Sequence, residues 1–411
     1  MSVVAHVAPA PSRRGACPGL SAPMATGDGL LARFRPDGTI SLDVMAGLCD
    51  TARAHGNGII EITSRGSIQV RGLTDAATFA DAVARLRIAA HDGVPVIADP
   101  LAGLDPTELV DASALAADLR TALAAQPFAQ RLAPKIAVTI DGGGALHLDA
   151  LSADIRLCAV ATADGPSLRV ATGGSGTSAV ALYTVAPDDA VDAVVALLQR
   201  IAAQGPHARA RDVIRAAAGR ATHPAAREPA DPIGHHPLRN GTLALGIGFA
   251  FGHTDAVALA DLVRAADDAG AGGLRTAPGR ALLVIGIAEA RAEPLAAAAK
   301  GLGFIVERDD PRRRVIACAG APVCAAGEIA ARALAPQVAQ HAATLLASDD
   351  VIHISGCSKG CAHHGPATLT AIGRDGQCEL LVGSEPAGRC DATALPQRLG
   401  ELAAARSSRH G

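Results

Sequence analysis

The chain repeats itself. The segment GLLARFRPDGTISLDVMAGLCDTARAHGNGIIEITSRGSIQVRGL at 29–73 reads as strand, turn, helix, strand, turn, strand. The segment GTLALGIGFAFGHTDAVALADLVRAADDAGAGGLRTAPGRALLVIGI at 241–287 repeats that order at nearly the same length. Self-similarity of this kind constrains architecture before any local propensity does. In the first copy PDG at 36–38 marks a turn, and a helix runs through Leu42, Val44, Met45 and Leu48 to Ala54 before HGNG stops it. In the second copy ALADLVRAADDAGAGG stands in the place of VMAGLCDTARAHGNG, and LRTAPGRALLVIG in that of EITSRGSIQVRG. A helical stretch follows each, at 75–89 and 289–303, which makes each copy a split βαβ, ferredoxin-like unit.

A longer α+β stretch lies behind each small unit. Residues 104–200 offer a helix at DASALAADLRTALAA, strands at KIAVTID, ALHLD and IRLCAVA, a Gly-rich ATGGSGTSAVAL and a closing helix. Residues 312–404 offer a strand at RRVIACAG, a helix at AAGEIAARALA, strands at VIHISG, ATLTAIG and CELLVG, and a last helix. The Pro-rich AREPADPIGHHP at 226–237 separates the halves. The expected fold is therefore α+β, two halves each built of a small unit and a larger one. The boundaries fall at 1–97, 98–225, 226–305 and 306–411.

Hydrophobic residues make up 49% and charged residues 19%, the balance of a globular chain; with aromatics at 2%, its core must be Ala, Val, Leu and Ile. A net charge of −3 excludes general attraction to nucleic acid, so an anionic ligand must be held by local arginines and lysines. The opening MSVVAHVAPAPSRRGACPGL does not read as a secretory signal, and no apolar run is long enough to span a membrane. Cytoplasm is the expected compartment, with no membrane partner.

Four of the nine cysteines form two close pairs. Cys318 and Cys324 have five residues between them, Cys357 and Cys361 have three, and 32 residues of helix and strand part the pairs. Each pair sits on a loop at a strand end. Structural zinc favours gaps of two to four residues, and five is loose for that knuckle. A cubane cluster is larger and accepts thiolates from wider loops. Spacing favours [4Fe–4S], with zinc and coincidental core cysteines still open. Cys17, Cys49, Cys158, Cys378 and Cys390 are scattered and read as small buried residues.

C-x5-C followed about thirty residues later by G-C-x3-C resembles the cluster signature of the sulfite and nitrite reductase superfamily, and TSRGSIQVRG resembles its T-x-R-x-x-x-Q-x-x-G strand–turn–strand. ADPLAGLDPTELVD and LAPKIAVTIDG resemble its intermediate segments. The resemblance implies two ferredoxin-like half-units and two larger domains related by a pseudo-two-fold axis. It also implies a [4Fe–4S] cluster on Cys318, Cys324, Cys357 and Cys361. Arg65, Arg71 and Lys135 become candidates to anchor the carboxylates of a tetrapyrrole, with Arg71 on the same strand face as Gln69. Within the superfamily, RRGACPGLSAPMATGDGLLARFRP, PLAGLD and GCSKGCAHHGPATLTAIG resemble most the oxygen-using enzymes of aerobic cobalamin synthesis.

One departure separates these relatives. The reductases carry a lysine pair two apart; here Lys135 fits the first position and Ala137 replaces the second, and the arginine before the PLAG stretch is absent. Six-electron reduction of a small anion needs such cations for charge and protons, so sulfite and nitrite are disfavoured as substrates. The oxygen-using resemblance implies a monooxygenase that converts precorrin-3A to precorrin-3B with O2, hydroxylating C20 and closing a γ-lactone. It further implies a mononuclear non-haem iron in place of sirohaem. Imidazole suits such iron, which makes His363, His364 and Cys17 candidate ligands; no H-x-D/E arrangement is taken to mark a triad. The Gly-rich ATGGSGTSAV lacks the lysine of a P-loop and matches a superfamily turn that approaches the tetrapyrrole. No dinucleotide site stands out, so electrons come from a separate reductase or ferredoxin-like carrier. The rival readings are a sirohaem-dependent reductase and a non-enzymatic tetrapyrrole-binding or zinc-stapled protein. No catalytic residue is named.

Overall fold

The computed structural model describes residues 18–88, 93–213, 227–347, 349–363 and 365–407. In chain order, the first small unit has β1 (Met24–Thr26), β2 (Gly29–Phe34), α1 (Leu42–His55), β3 (Ile59–Ile62), β4 (Ile68–Leu73) and α2 (Ala76–Arg85). The first large domain follows with β5 (Val96–Ala98), α3 (Ala112–Ala124), β6 (Val138–Asp141), β7 (Ala153–Thr162), β8 (Gly165–Gly174), β9 (Val180–Val185), α4 (Ala190–Ala203) and α5 (Ala210–Val213). The second small unit has β10 (Gly234–Pro237), β11 (Leu243–Gly248), β12 (His253–Asp255), α6 (Ala256–Asp268), β13 (Gly273–Ala277), β14 (Ala281–Ile287) and α7 (Glu289–Gly301). The last domain has β15 (Val315–Ala317), α8 (Ala331–His341), β16 (Ile352–Ser355), β17 (Leu369–Arg374), β18 (Gln377–Val382), β19 (Glu385–Asp391) and α9 (Leu395–Ser407).

The repeat helices begin alike for a local reason. Ser41 caps α1 by accepting from Val44 N–H, and Asp255 caps α6 by accepting from Val257 and Ala258 N–H. Their apolar faces meet across one shared core, where Met45 and Leu48 pack with Leu259 and Leu262. The small units are thus halves of a single hydrophobic body. β12 of the second even extends the first sheet, ordered β1-β2-β4-β3-β12, by pairing with β3. The matching turns of the repeats touch. Gly279 N–H donates to Ser64 O at 3.0 Å, and a Cβ on Gly66 (φ 78) would lie 2.9 Å from the Ala277 carbonyl carbon.

Each large domain is a five-stranded sheet, β5-β6-β7-β8-β9 and β15-β16-β17-β18-β19. In both, the first three strands are parallel and the last two pairings antiparallel. Two expectations need correction. ALHLD is no strand but part of an irregular loop between β6 and β7, because Gly142–Gly144 end the ladder just before it. The helix expected at AAGEIAARALA starts only at Ala331, because residues 325–330 form the turn that returns from Cys324. Among the described residues no helix is long and apolar enough to cross a membrane.

Candidate metal centre

Two loops at the ends of the parallel strands β15 and β16 carry the four cysteines. Cys318 directly follows β15, and its N–H donates to Ile354 O at 3.2 Å. Gly320 (φ 63) turns the chain, and Cys324 N–H donates back to Gly320 O at 2.8 Å. Gly356, directly after β16, donates its N–H to Cys318 Sγ at 3.0 Å. The two loops are tied by Glu328 N–H to Gly356 O at 2.7 Å. The N-terminal segment closes over them: Ala325 N–H donates to Gly27 O at 2.8 Å, and a Cβ at Gly27 would lie 2.4 Å from Cys324 Sγ.

All four thiols are free; Cys361 is exposed and the other three are half-buried. Burial pushes the Cys318 and Cys361 thiols up, and the neighbouring cysteines push both further, while the Gly356 and Gly320 N–H groups draw Cys318 back. No three of these sulfurs lie within 4.8 Å of one another; among the described residues that closeness belongs only to Asp141, His147 and Asp149. Four thiols on two tied strand-end loops are a donor set of the kind that a [4Fe–4S] cubane takes. Cys49 and Cys378 are fully buried, which pushes each up to about 12, so they remain thiols of the core.

Arg71 departs from its expected role. It shares the face of Gln69 as the strand period requires, but its Nε and Nη2 both donate to Asp28 at 2.8 Å, and Glu61 lies 3.7 Å away. Gln69 Nε2 donates to Glu61 at 2.6 Å, and Arg332 pairs with the other Glu61 oxygen at 3.3 Å. With its guanidinium held near Cys324 by carboxylates, Arg71 is engaged within its own chain, one edge on Asp28 and the other towards Glu61.

Arg65 sits on the β3–β4 turn and reaches the first large domain, donating from Nη1 to Ser152 O at 2.8 Å. It stands in a cationic group that includes two arginines the sequence reading missed. Burial first, and then Arg65 and Arg120, bring Arg35 down to about 10; Asp37 opposes them and pairs with Arg120 at 3.1 Å. Arg35 Nη2 has no hydrogen-bond partner among the described residues. Arg35 and Arg120 share the carboxylate of Asp37, and with Arg65 near Arg35 positive charge is in excess there. Arg35 lies beside the PDG turn and Arg120 on α3, so nothing local joins them. Lys135 is exposed in the turn before β6, and Ala137 is buried with its N–H on Asp154 at 3.2 Å.

His363 hydrogen-bonds Pro366 O at 3.0 Å through Nε2 and sets its ring edge on His353, centroids 5.7 Å apart. Among the described residues it joins no gathered set of metal-capable atoms. His364 and Cys17 lie outside the described residues. The gathered set instead contains His147-Leu148-Asp149, an H-x-D that the sequence reading passed over within its expected strand. The Gly-rich turn covers this set: Gly176 N–H donates to Asp149 O at 2.9 Å, and a Cβ there would lie 2.2 Å from Asp149 Oδ1.

The duplicated sheets, each opened by parallel strands with loops at their ends, define a sulfite/nitrite reductase-like fold. The sequence pattern of the nitrite/sulfite reductase ferredoxin-like half domain matches residues 22–83. The solved structure of the Mycobacterium tuberculosis NirA protein shares the fold, with a TM-score of 0.69 and 20% identity over 90% of this chain and 79% of that one. Sulfite reductase [ferredoxin] 2 of Mycolicibacterium paratuberculosis is 28% identical over 166 residues, 39% of this chain and 29% of the relative. Precorrin-3B synthase of Sinorhizobium sp is 39% identical over 380 residues, 90% of this chain and 83% of that protein. The chain belongs to the precorrin-3B synthase family.

Proposed function

We propose that this chain is an oxygen-dependent monooxygenase of cobalamin biosynthesis that converts precorrin-3A to precorrin-3B in the cytoplasm. One atom of O2 ends as a hydroxyl at C20, the other leaves as water, and the ring-A acetate closes onto C1 as a lactone. Two electrons and two protons enter from outside, through a separate reductase or carrier. The observation that carries this reading is the 39% identity to precorrin-3B synthase over 90% of the chain.

Cys318, Cys324, Cys357 and Cys361 would hold a [4Fe–4S] cluster, which supplies single electrons when bound. Arg71, locked by Asp28 and Glu61, stands beside those sulfurs with its charge balanced. Arg35, Arg65 and Arg120 would receive the acetate and propionate carboxylates of the macrocycle, since the fork of a guanidinium suits a carboxylate edge. Ala137 in place of a second lysine leaves the site without the paired ammonium groups that a small oxyanion requires.

The test is turnover of precorrin-3A under labelled O2 by the cluster-loaded protein with a chemical reductant. One labelled oxygen in the product is expected, assigned to C20 by NMR. A product without label from O2 overturns the reading.

A further inference from the structure

The first large domain repeats the cluster domain down to individual hydrogen bonds. Asp99 directly follows β5 as Cys318 directly follows β15. Ala98 pairs with Ile140 of β6 as Ala317 pairs with Ile354 of β16. Gly142, directly after β6, donates its N–H to Asp99 Oδ2 at 2.5 Å; Gly356, directly after β16, donates to Cys318 Sγ at 3.0 Å. Leu109 N–H then donates to Gly142 O at 2.8 Å, as Glu328 N–H does to Gly356 O at 2.7 Å. The Asp99 carboxylate therefore occupies the position of the first cluster thiolate.

Around it the ligand chemistry is hard rather than soft. Asp141, His147 and Asp149 each bring one ligand atom within 4.8 Å of the others. His147 Nε2 lies 2.8 Å from Glu228 O; a carbonyl only accepts, so in the neutral ring Nε2 carries the hydrogen and Nδ1 keeps a lone pair. That lone pair accepts from Asp149 N–H at 3.4 Å and lies 3.4 Å from Asp149 Oδ2, near enough for one cation to meet both side chains. Asp99 is only 6% exposed, its Oδ1 has no hydrogen-bond partner among the described residues, and the charge facing it most strongly is Asp141. An unpartnered buried carboxylate oxygen beside a second carboxylate points to a missing positive charge. Arg227 supplies part of that charge, pairing with Asp141 and, at 2.8 Å, with Asp149, while Arg156 lies 3.3 Å from Asp149. A cavity of about 160 Å³, lined by Asp149, Arg156, Arg227, Cys158 and Gly176, reaches the Asp149 side of the group.

We propose that Asp141, His147 and Asp149, backed by Asp99, form a mononuclear site for a divalent first-row cation, and that Arg227 holds the outer carboxylates in its absence. Three carboxylates and one imidazole suit Fe(II) or Mn(II) better than the soft metals that thiolates select. The choice of iron rests on the oxygen-using reading above; the site does not. It lies at the pseudo-symmetric counterpart of the cluster loops, apart from His363.

The test uses the full-length chain, reconstituted anaerobically with iron and sulfide and then desalted. Wild type is expected to keep about five irons per four acid-labile sulfides, and His147→Ala and Asp149→Asn about four per four. The protein treated with chelator should take up one equivalent of Mn(II), read as loss of the free-ion EPR signal, with affinity at least tenfold weaker in both variants. About four irons in wild type together with no Mn(II) uptake overturns the proposal; so does full retention of the extra metal by both variants. Should a variant fail to fold, Mn(II) uptake by the unmodified protein decides. Uptake without turnover of precorrin-3A would keep the site and sink the oxygen-using reading, and labelled turnover at four irons would do the reverse.

Discussion

The two large domains share a strand order, a register and a loop-locking glycine, yet they present opposite chemistry at the same place. In the last domain the glycine N–H after the second strand meets a thiol, Cys318; in the first it meets a carboxylate, Asp99. The first domain adds Asp141, His147 and Asp149 where the last adds Cys357 and Cys361. The backbone device is therefore independent of the ligand type: parallel strand ends and a close glycine gather whatever side chains the loops carry. What differs is the charge that balances them. Arg71 stands beside the thiols but is neutralised by Asp28 and Glu61, whereas Arg227 pairs directly with the carboxylates.

The largest expected effect tests whether the two gatherings are separable. Cys357→Ser should abolish cluster assembly, read as loss of nearly all acid-labile sulfide and of the visible iron–sulfur absorbance, whereas Asp141→Asn should leave the sulfide content intact. Parallel loss in both would break the comparison.

Next in size, Arg71→Ala should lower stability by about 3–5 kcal/mol in chemical denaturation, since it strips the partner from a carboxylate whose side chain is 1% exposed. Arg227→Gln should cost a similar amount, since its partner Asp141 is equally buried, and Mn(II) should restore part of the loss.

A smaller effect is expected at the matched glycines, both with ordinary negative-φ space and no room. A Cβ at Gly142 would lie 2.4 Å from Val110 O, and one at Gly356 2.9 Å from Gly320 Cα. Alanine at either should cost about 1–3 kcal/mol, while Gly301→Ala, with nothing within 4 Å, should cost nothing measurable. Equal tolerance at all three positions would dissolve the structural parallel.

A further effect is pH-dependent and lies on the cluster side. Burial first, and then Arg332, bring the His253 imidazole down from 6.5 to about 3. Below about 6.5 the unfolded chain binds a proton there that the folded chain does not, so stability should fall as pH drops toward 3. His253→Gln should flatten that part of the profile of thermal midpoint against pH; an unchanged slope would place the titration elsewhere.

Much of the scaffold is legible locally. The helix of each repeat announces itself by its apolar period and its stop, and α1 ends at His55, within one residue of the HGNG signal. The cysteine pairs are legible because each lies within one loop, so spacing alone carries information. Alternation misleads where tertiary context overrides it: ALHLD alternates, but glycines at 142–144 release it from the sheet. That misreading concealed the H-x-D, since two residues on one face of a strand do not suggest a convergence with Asp141.

The sequence by itself determined the duplication, the ferredoxin-like units, the two cysteine pairs on strand-end loops and the kinship with sulfite and nitrite reductases. Each of these is written in spacings of a few tens of residues or in a repeated order. Only the tertiary structure decided that Arg71 belongs to Asp28, that Arg35 and Arg120 join Arg65, and that Asp99 stands where Cys318 does. Such pairings join residues that are tens of positions apart, and the packing of sheets, which no local period encodes, brings them together.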